Sequence, residues 1–284
     1  MTRVVLVHGI GKQYLGAETL LADWRPALSD GIARAGGLQI PGEEVSMAFY
    51  GDLFRPAGHR GLGIPELDAS DVHDDLEREL LIEWWRAAAE IEARVPGPDA
   101  PARLRTPHLV QRALDALSHS TFFAGLSERL LIWSARQVRL YFTEPDVRAL
   151  VRERVERGIT PQTEVIVAHS LGTVAAYEAL CAHPEWQDLT FVSLGSPLGV
   201  RNLVFDRLVP APAGGRGRWP ASVKRWVNVA DKGDVVPLVK ELGSRFGDRV
   251  KDVRIHNGAK AHDVRPYLTA RETGRAIAQG LGSL

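Results

Sequence analysis

The chain has 284 residues, 45% hydrophobic and 25% charged, which is enough for one large globular domain or one domain carrying a sizeable insertion. Lys plus Arg and Asp plus Glu both number 35, so no net charge draws the whole molecule to nucleic acid or to an anionic membrane. The single cysteine, Cys181, cannot close an internal disulfide, no stretch is apolar enough to span a bilayer, and VVLVHGI at 4–10 is too short for a secretory signal. The chain therefore reads as cytoplasmic and complete from its first strand, with Cys181 a small buried hydrophobe.

The first element is a β-branched run, RVVLVH at 3–8, which ends at Gly9 and reads as a buried parallel strand. Leu21, Trp24, Leu28 and Ile32 recur at helical spacing up to Gly36-Gly37, with Pro26 marking a kink or a late start. A second strand, VSMAFY at 45–50, stops at Gly51. From 52 to 145 no strand pattern is found. Ser70 caps a helix whose apolar face is Leu76, Leu80, Trp84, Ala88, Ile91 and Val95. A proline-rich linker at 96–107 breaks it, and further helices follow at 108–118 and 121–142. Alternation then returns, with a helix at 146–157, the strand EVIVAH at 164–169, a helix at 171–182 and strands at 189–194, 224–230 and 251–256. A last helix covers 265–280.

The segment with the most chemical content is AHSLGT at 168–173, where a strand runs into a helix. So tight a turn needs small residues two before and two after the serine, and Ala168 and Gly172 meet that need. It pushes Ser170 out at the C-terminal end of the sheet and aims the Leu171 N–H at a developing oxyanion. The loop NVADKGDVVP at 228–237 offers two carboxylates. Asp231 suits an Asx turn, and Asp234 is the preferred partner for a histidine. Beyond it in the chain stand His256, at the end of a strand, and His262, in a loop before the last helix and the better general base. His169, beside the serine, is expected to face away. The other histidines show no metal-ligand spacing, and HGIG at 8–11 carries neither phosphate-binding fingerprint.

VVLVHGIG, AHSLGT and GSPLG (195–199), in the order Ser, Asp, His, resemble the α/β-hydrolase superfamily, and its lipase and esterase members most. The resemblance covers 1–51 and 146–284. It implies an α/β fold with a mostly parallel central sheet and flanking helices; the 52–145 helical insertion, marked by the residue pattern alone, lies outside the resemblance. The insertion would act as a cap or lid that moves on the 96–107 linker and on Gly58, Gly61 and Gly63, or as a docking surface for a partner protein. The resemblance also implies a serine hydrolase acting on a small or lipid acyl ester. Ser170, Asp234 and His262 would form the triad, and the backbone N–H groups of Ile10 and Leu171 the oxyanion hole, with no cofactor and no metal. A thioesterase, amidase or acyltransferase on the same triad, or an inactive interaction module, are the alternatives.

Overall fold

In the computed structural model, which describes residues 1–55, 65–98, 109–121, 123, 127–258 and 261–284, each apolar run read as a strand is one. The strands are β1 (Val4–Val7), β2 (Val45–Ala48), β3 (Val165–His169), β4 (Leu189–Leu194), β5 (Val223–Asp231) and β6 (Val250–Ile255). They form a six-stranded sheet in the order β2-β1-β3-β4-β5-β6, with every pairing parallel. Every residue of β1, β3 and β4 is buried. That is why these strands are continuous apolar runs in the sequence, whereas the edge strand β6 alternates with polar residues.

Alternate residues of each strand feed two cores. Val4, Leu6, Val165 and Val167 face α1 (Ala17–Ala35) and meet its Trp24, Leu28 and Ile32. Val5, Val7, Ile166 and Ala168 face the opposite way, into a core that contains most of the insertion's buried residues. The insertion comprises α2 (Asp75–Ile91), α3 (Leu109–Ser118) and α4 (Glu128–Thr143), whose Trp84, Leu114 and Val138 share that core with α5 (Pro145–Gly158) and α6 (Leu171–Ala182). A single turn, α7 (Gly243–Phe246), precedes β6. The C-terminal helices α8 (Val264–Thr269) and α9 (Arg271–Gly280) lie beside α1. Among the described residues no helix is long and apolar enough to cross a membrane.

Several expected boundaries differ, each for a local reason. The cap of α2 is Asp74, whose carboxylate accepts from Leu76 N–H at 2.8 Å; Ser70 sits in a separate short turn capped by Asp68. α4 starts at Glu128, and the C-terminal helix divides at Ala270. Pro26 does not delay α1, because it lies on the exposed face, where water can serve the carbonyl that loses its partner. Leu20 rather than Leu21 opens the buried face of α1, and Ile91, at the end of α2, is 48% exposed. Cys181 is half-buried against the core, and burial is the main cause pushing its thiol up to about 11. Gly58, Gly61, Gly63 and most of the 96–107 linker lie outside the described residues.

The winding reverses next to β1. β2 pairs on one side of β1, and the chain returns past it to place β3 on the other side. Such a reversal leaves a crevice beyond the carboxyl ends of the two strands, where ligands of open parallel sheets bind.

α1 crosses α9 at two glycines. A Cβ on Gly274 would lie 1.9 Å from the Gly31 carbonyl oxygen, and one on Gly31 would lie 2.0 Å from that of Leu268. Backbone cannot move aside as a side chain can. Gly274→Ala is therefore expected to cost about 2 kcal/mol or more. Gly16→Ala, where a Cβ would meet nothing within 4 Å, should stay within about 0.5 kcal/mol. Denaturant midpoints at constant slope measure both.

Candidate active site

Ser170 joins β3 to α6 with φ 54° and ψ −132°, a conformation that costs a residue with a side chain about 1–3 kcal/mol. Hydrogen bonds on both sides hold it there. Its N–H donates to Leu194 O in β4 at 3.0 Å, and its carbonyl accepts from the Thr173 N–H at 2.9 Å and the Thr173 hydroxyl at 2.7 Å. The turn is possible because its neighbours lack side chains. A Cβ on Gly172 would lie 2.2 Å from the His8 carbonyl oxygen, and one on Gly9 would lie 2.7 Å from Ser170 Cβ.

Asp234 and His262 reach the serine from two other segments. The Asp234 carboxylate is fully buried. Its Oδ1 accepts from Val236 N–H at 3.0 Å; its Oδ2 accepts from His262 Nδ1 at 2.7 Å and from the Tyr267 hydroxyl at 2.8 Å. Because a carboxylate only accepts, Nδ1 carries the ring proton. Nε2 then presents its lone pair to Ser170 Oγ, 3.1 Å away. The side chains of the two unchosen candidates take no part in this array. Asp231 Oδ1 accepts from Gly233 N–H at 2.6 Å and closes the turn, while its Oδ2 accepts from Asn257 N–H and ties the turn to the segment after β6. His256 is exposed just beyond β6.

Tyr267 has no local sequence signature. Its hydroxyl accepts from Asp231 N–H at 2.9 Å while donating to Asp234. Burial first, and the Asp234 charge second, hold the phenol well above its ordinary value, which keeps it a donor. Gly195, from GSPLG, has φ +53° and lies so close to this cluster that a Cβ would be 3.0 Å from Asp234 Oδ2 and 3.3 Å from His262 Nδ1.

His169 does not face away from the site. Its ring centroid lies 4.6 Å from that of His262 and 6.3 Å from that of Trp24. The reason is strand parity. His169 follows Val165 and Val167 on one face of β3, and the His262 loop, leading into α8, comes over that face. Burial first, then the nearby His262, hold His169 well below its ordinary pKa, so it stays neutral.

The oxyanion candidates flank the serine. Leu171 is the first residue of α6, where an amide has no acceptor in its own helix. Ile10 lies in the loop after β1, anchored by His8. Tyr50 N–H donates to His8 Nε2 at 3.1 Å, so the proton is on Nδ1, which donates to Gly9 O at 2.7 Å. The Tyr50 hydroxyl donates to the His8 carbonyl. Burial is the main cause lowering His8 to about 4.

Above Ser170 opens a cavity of about 480 Å³. Leu80, Trp84, Phe123, Leu131 and Val138 of the insertion wall it, together with Val200, Leu203 and Val204 from the chain after GSPLG. Trp133 is buried but does not line it. Lys12, Asp23, Asp263 and Arg265 supply its charged part, with Arg265 paired to Asp263 at 2.6 Å and to Asp23 at 3.5 Å. Burial lowers the Lys12 ammonium despite the two carboxylates. Among the described residues no group of three or more His, Cys, Asp or Glu could hold a metal ion.

The fold and site together define an α/β protein with a hydrogen-bonded Ser–His–Asp array at the switch point of a parallel sheet. No family model, no curated protein and no solved structure matches the chain.

The buried neutral His8 makes stability depend on pH. Its folded value of about 4 lies below the unfolded 6.5, so between these values the unfolded chain binds the extra proton. Stability present above pH 6.5 is lost as pH falls toward 4, about 3 kcal/mol from this residue. Urea midpoints measured across that range should show the decline. It should be shallower in a His8→Gln variant of the same fold.

Proposed function

We propose that this protein is a serine hydrolase that cleaves a carboxylic ester through a covalent acyl-enzyme. The observation carrying this reading is the chain of two bonds, Ser170 Oγ to His262 Nε2 at 3.1 Å and His262 Nδ1 to Asp234 at 2.7 Å. Three segments far apart in sequence converge to make it, on a serine held in a strained backbone conformation.

In the reaction, Ser170 Oγ attacks the ester carbonyl carbon as His262 Nε2 takes its proton. Asp234 holds the ring in the required tautomer and stabilises the imidazolium. The carbonyl oxygen, now negative, is met by the Ile10 and Leu171 N–H groups, each worth roughly 3 kcal/mol in the transition state. Collapse of the tetrahedral species expels the alcohol, which takes the proton from His262. Water, deprotonated by His262, then attacks the acyl-enzyme; as this second tetrahedral species collapses, Ser170 Oγ leaves, takes the proton back from His262 and releases the carboxylic acid. The scheme draws on no metal and no organic cofactor.

The apolar wall above the serine suits an acyl chain, and the 52–145 insertion supplies much of that wall. The insertion thus serves as a cap in this reading.

Ser170→Ala is expected to abolish ester turnover and fluorophosphonate labelling while leaving the denaturation midpoint near that of the wild type. Asp234→Asn should lower kcat by about 10⁴, through the wrong tautomer. Asp231→Asn should act mainly on stability. Labelling that survives in Ser170→Ala removes the serine from the mechanism, and the reverse ranking of the two aspartates moves the acid.

Acyl-chain selection should follow the insertion. Trp84→Ala is expected to raise KM for a longer-chain ester by about tenfold, the scale at which a hydrophobic pocket discriminates. An acetyl ester should change little. Equal losses across a graded ester series would show that the cavity does not hold the acyl chain.

A further inference from the structure

Gln137 lies in α4, the last helix of the insertion, and is 1% exposed. A buried amide on a helix that forms a cap has to be hydrogen-bonded, and this one is bonded to the loop after β1. Its Oε1 accepts from the Gly11 N–H at 3.0 Å, and its Nε2 donates to Gln13 Oε1 at 3.4 Å. The orientation of the amide is forced, because the Gly11 N–H can only donate and must face the oxygen.

Ile10 sits between two peptide planes. The plane joining Gly9 to Ile10 is held by the His8 Nδ1–H on the Gly9 carbonyl, at 2.7 Å. A trans peptide points its N–H opposite to its C=O, so this bond also sets the direction of the Ile10 N–H. The plane joining Ile10 to Gly11 is held by Gln137. The core side fixes one plane and the insertion fixes the other, so the backbone angles of Ile10 are clamped between them. Gly11 itself has φ +77°, so the loop bends sharply just where the insertion grips it.

We propose that Gln137 is a positioning residue for the oxyanion hole, so that the insertion holds the Ile10 N–H in place as well as walling the cavity. This inference rests on the hydrolase reading. It makes placement of the insertion and competence of the oxyanion hole one event. Displacing α4 from the β1 loop frees the Gly11 amide and loosens the donor that meets the transition state.

The test compares wild type, Gln137→Met, Gln137→Asn and Gln137→Glu. Methionine removes the acceptor at equal length, asparagine is one methylene too short to reach Gly11, and glutamate keeps an acceptor oxygen in place. The readouts are kcat and KM for a small activated acetyl ester, and the affinity of an alkylboronic acid, whose tetrahedral adduct with Ser170 places an oxygen in the oxyanion hole. Gln137→Met and Gln137→Asn should each lower kcat by about tenfold or more, a fraction of what losing a whole donor costs. KM should stay within about twofold, as for an interaction made only in the transition state. Boronic acid affinity should fall by a factor similar to kcat, and Gln137→Glu should recover most of both. Unchanged kcat in the folded Met or Asn variant overturns the inference, as does a Glu variant as impaired as the other two. Boronic acid binding that survives while kcat falls also overturns it. Wild-type protein that neither turns over an ester nor labels with a fluorophosphonate overturns the hydrolase reading and this inference together. Active wild type with indifferent Gln137 variants overturns this inference alone.

Discussion

The site depends on how closely the ends of β1 and β3 pack. The start of α6 passes the His8 carbonyl so tightly that a Cβ on Gly172 would lie 2.2 Å from it, and the loop after β1 passes Ser170 at Gly9, where a Cβ would lie 2.7 Å from the serine Cβ. No other residue type fits at either place. That approach turns the chain sharply enough to put Ser170 at φ 54°. The strain is borne because the serine's N–H and carbonyl are both committed, to Leu194 and to Thr173. The serine side chain thus projects beyond the sheet, and the loop that follows β1 lies beside it.

Around this crossing two buried carboxylates play different parts. Asp234 divides its oxygens between backbone, tyrosine and histidine, and so orders the His262 ring from below. Glu178, 1% exposed as a side chain, is a structural counterpart on α6. It accepts from the Tyr141 hydroxyl at 2.7 Å, from Arg148 Nε at 2.9 Å and from the Val209 N–H at 3.0 Å. It thereby ties α4, α5 and the chain before β5 to the helix that begins at the serine. Removing either carboxylate would strand buried donors, which costs far more than the net worth of such a pair.

The insertion is continuous with the sheet's core on one face, so its apolar helices are buried in part by the protein they cover. Two ties about one turn apart on α4 hold it, Tyr141 to Glu178 and Gln137 to the Gly11 amide. One tie fixes where its helices lie, and the other runs to the loop that carries the Ile10 amide. The cavity wall and the geometry beside the serine are consequently set by the same packing.

Much of this was legible in the sequence because it is written in local patterns. Unbroken β-branched runs marked the parallel strands, since a strand buried on both faces needs apolar residues at every position. The small residues of AHSLGT marked the turn. The order of Ser170, Asp234 and His262 followed from strand ends that could be counted along the chain. The choice of Asp234 over Asp231 rested on Asp231 being suited to an Asx turn, and that is the part Asp231 takes. What could not be read depends on contacts between distant segments. Strand parity put His169 on the face that the His262 loop covers, though nothing beside it in the sequence says so. Tyr267 lies in an ordinary helix and meets Asp234 only because α8 folds under the loop after β5. Gln137 is one polar residue on an amphipathic helix until α4 is laid against the β1 loop. The sequence by itself determined the strands and the tight turn at Ser170, and it singled out Ser170, Asp234 and His262, because each of these readings depends on residues adjacent in the chain. Only the tertiary structure decided which groups orient them, because a hydrogen bond forms within about 3 Å in space whatever the separation in sequence.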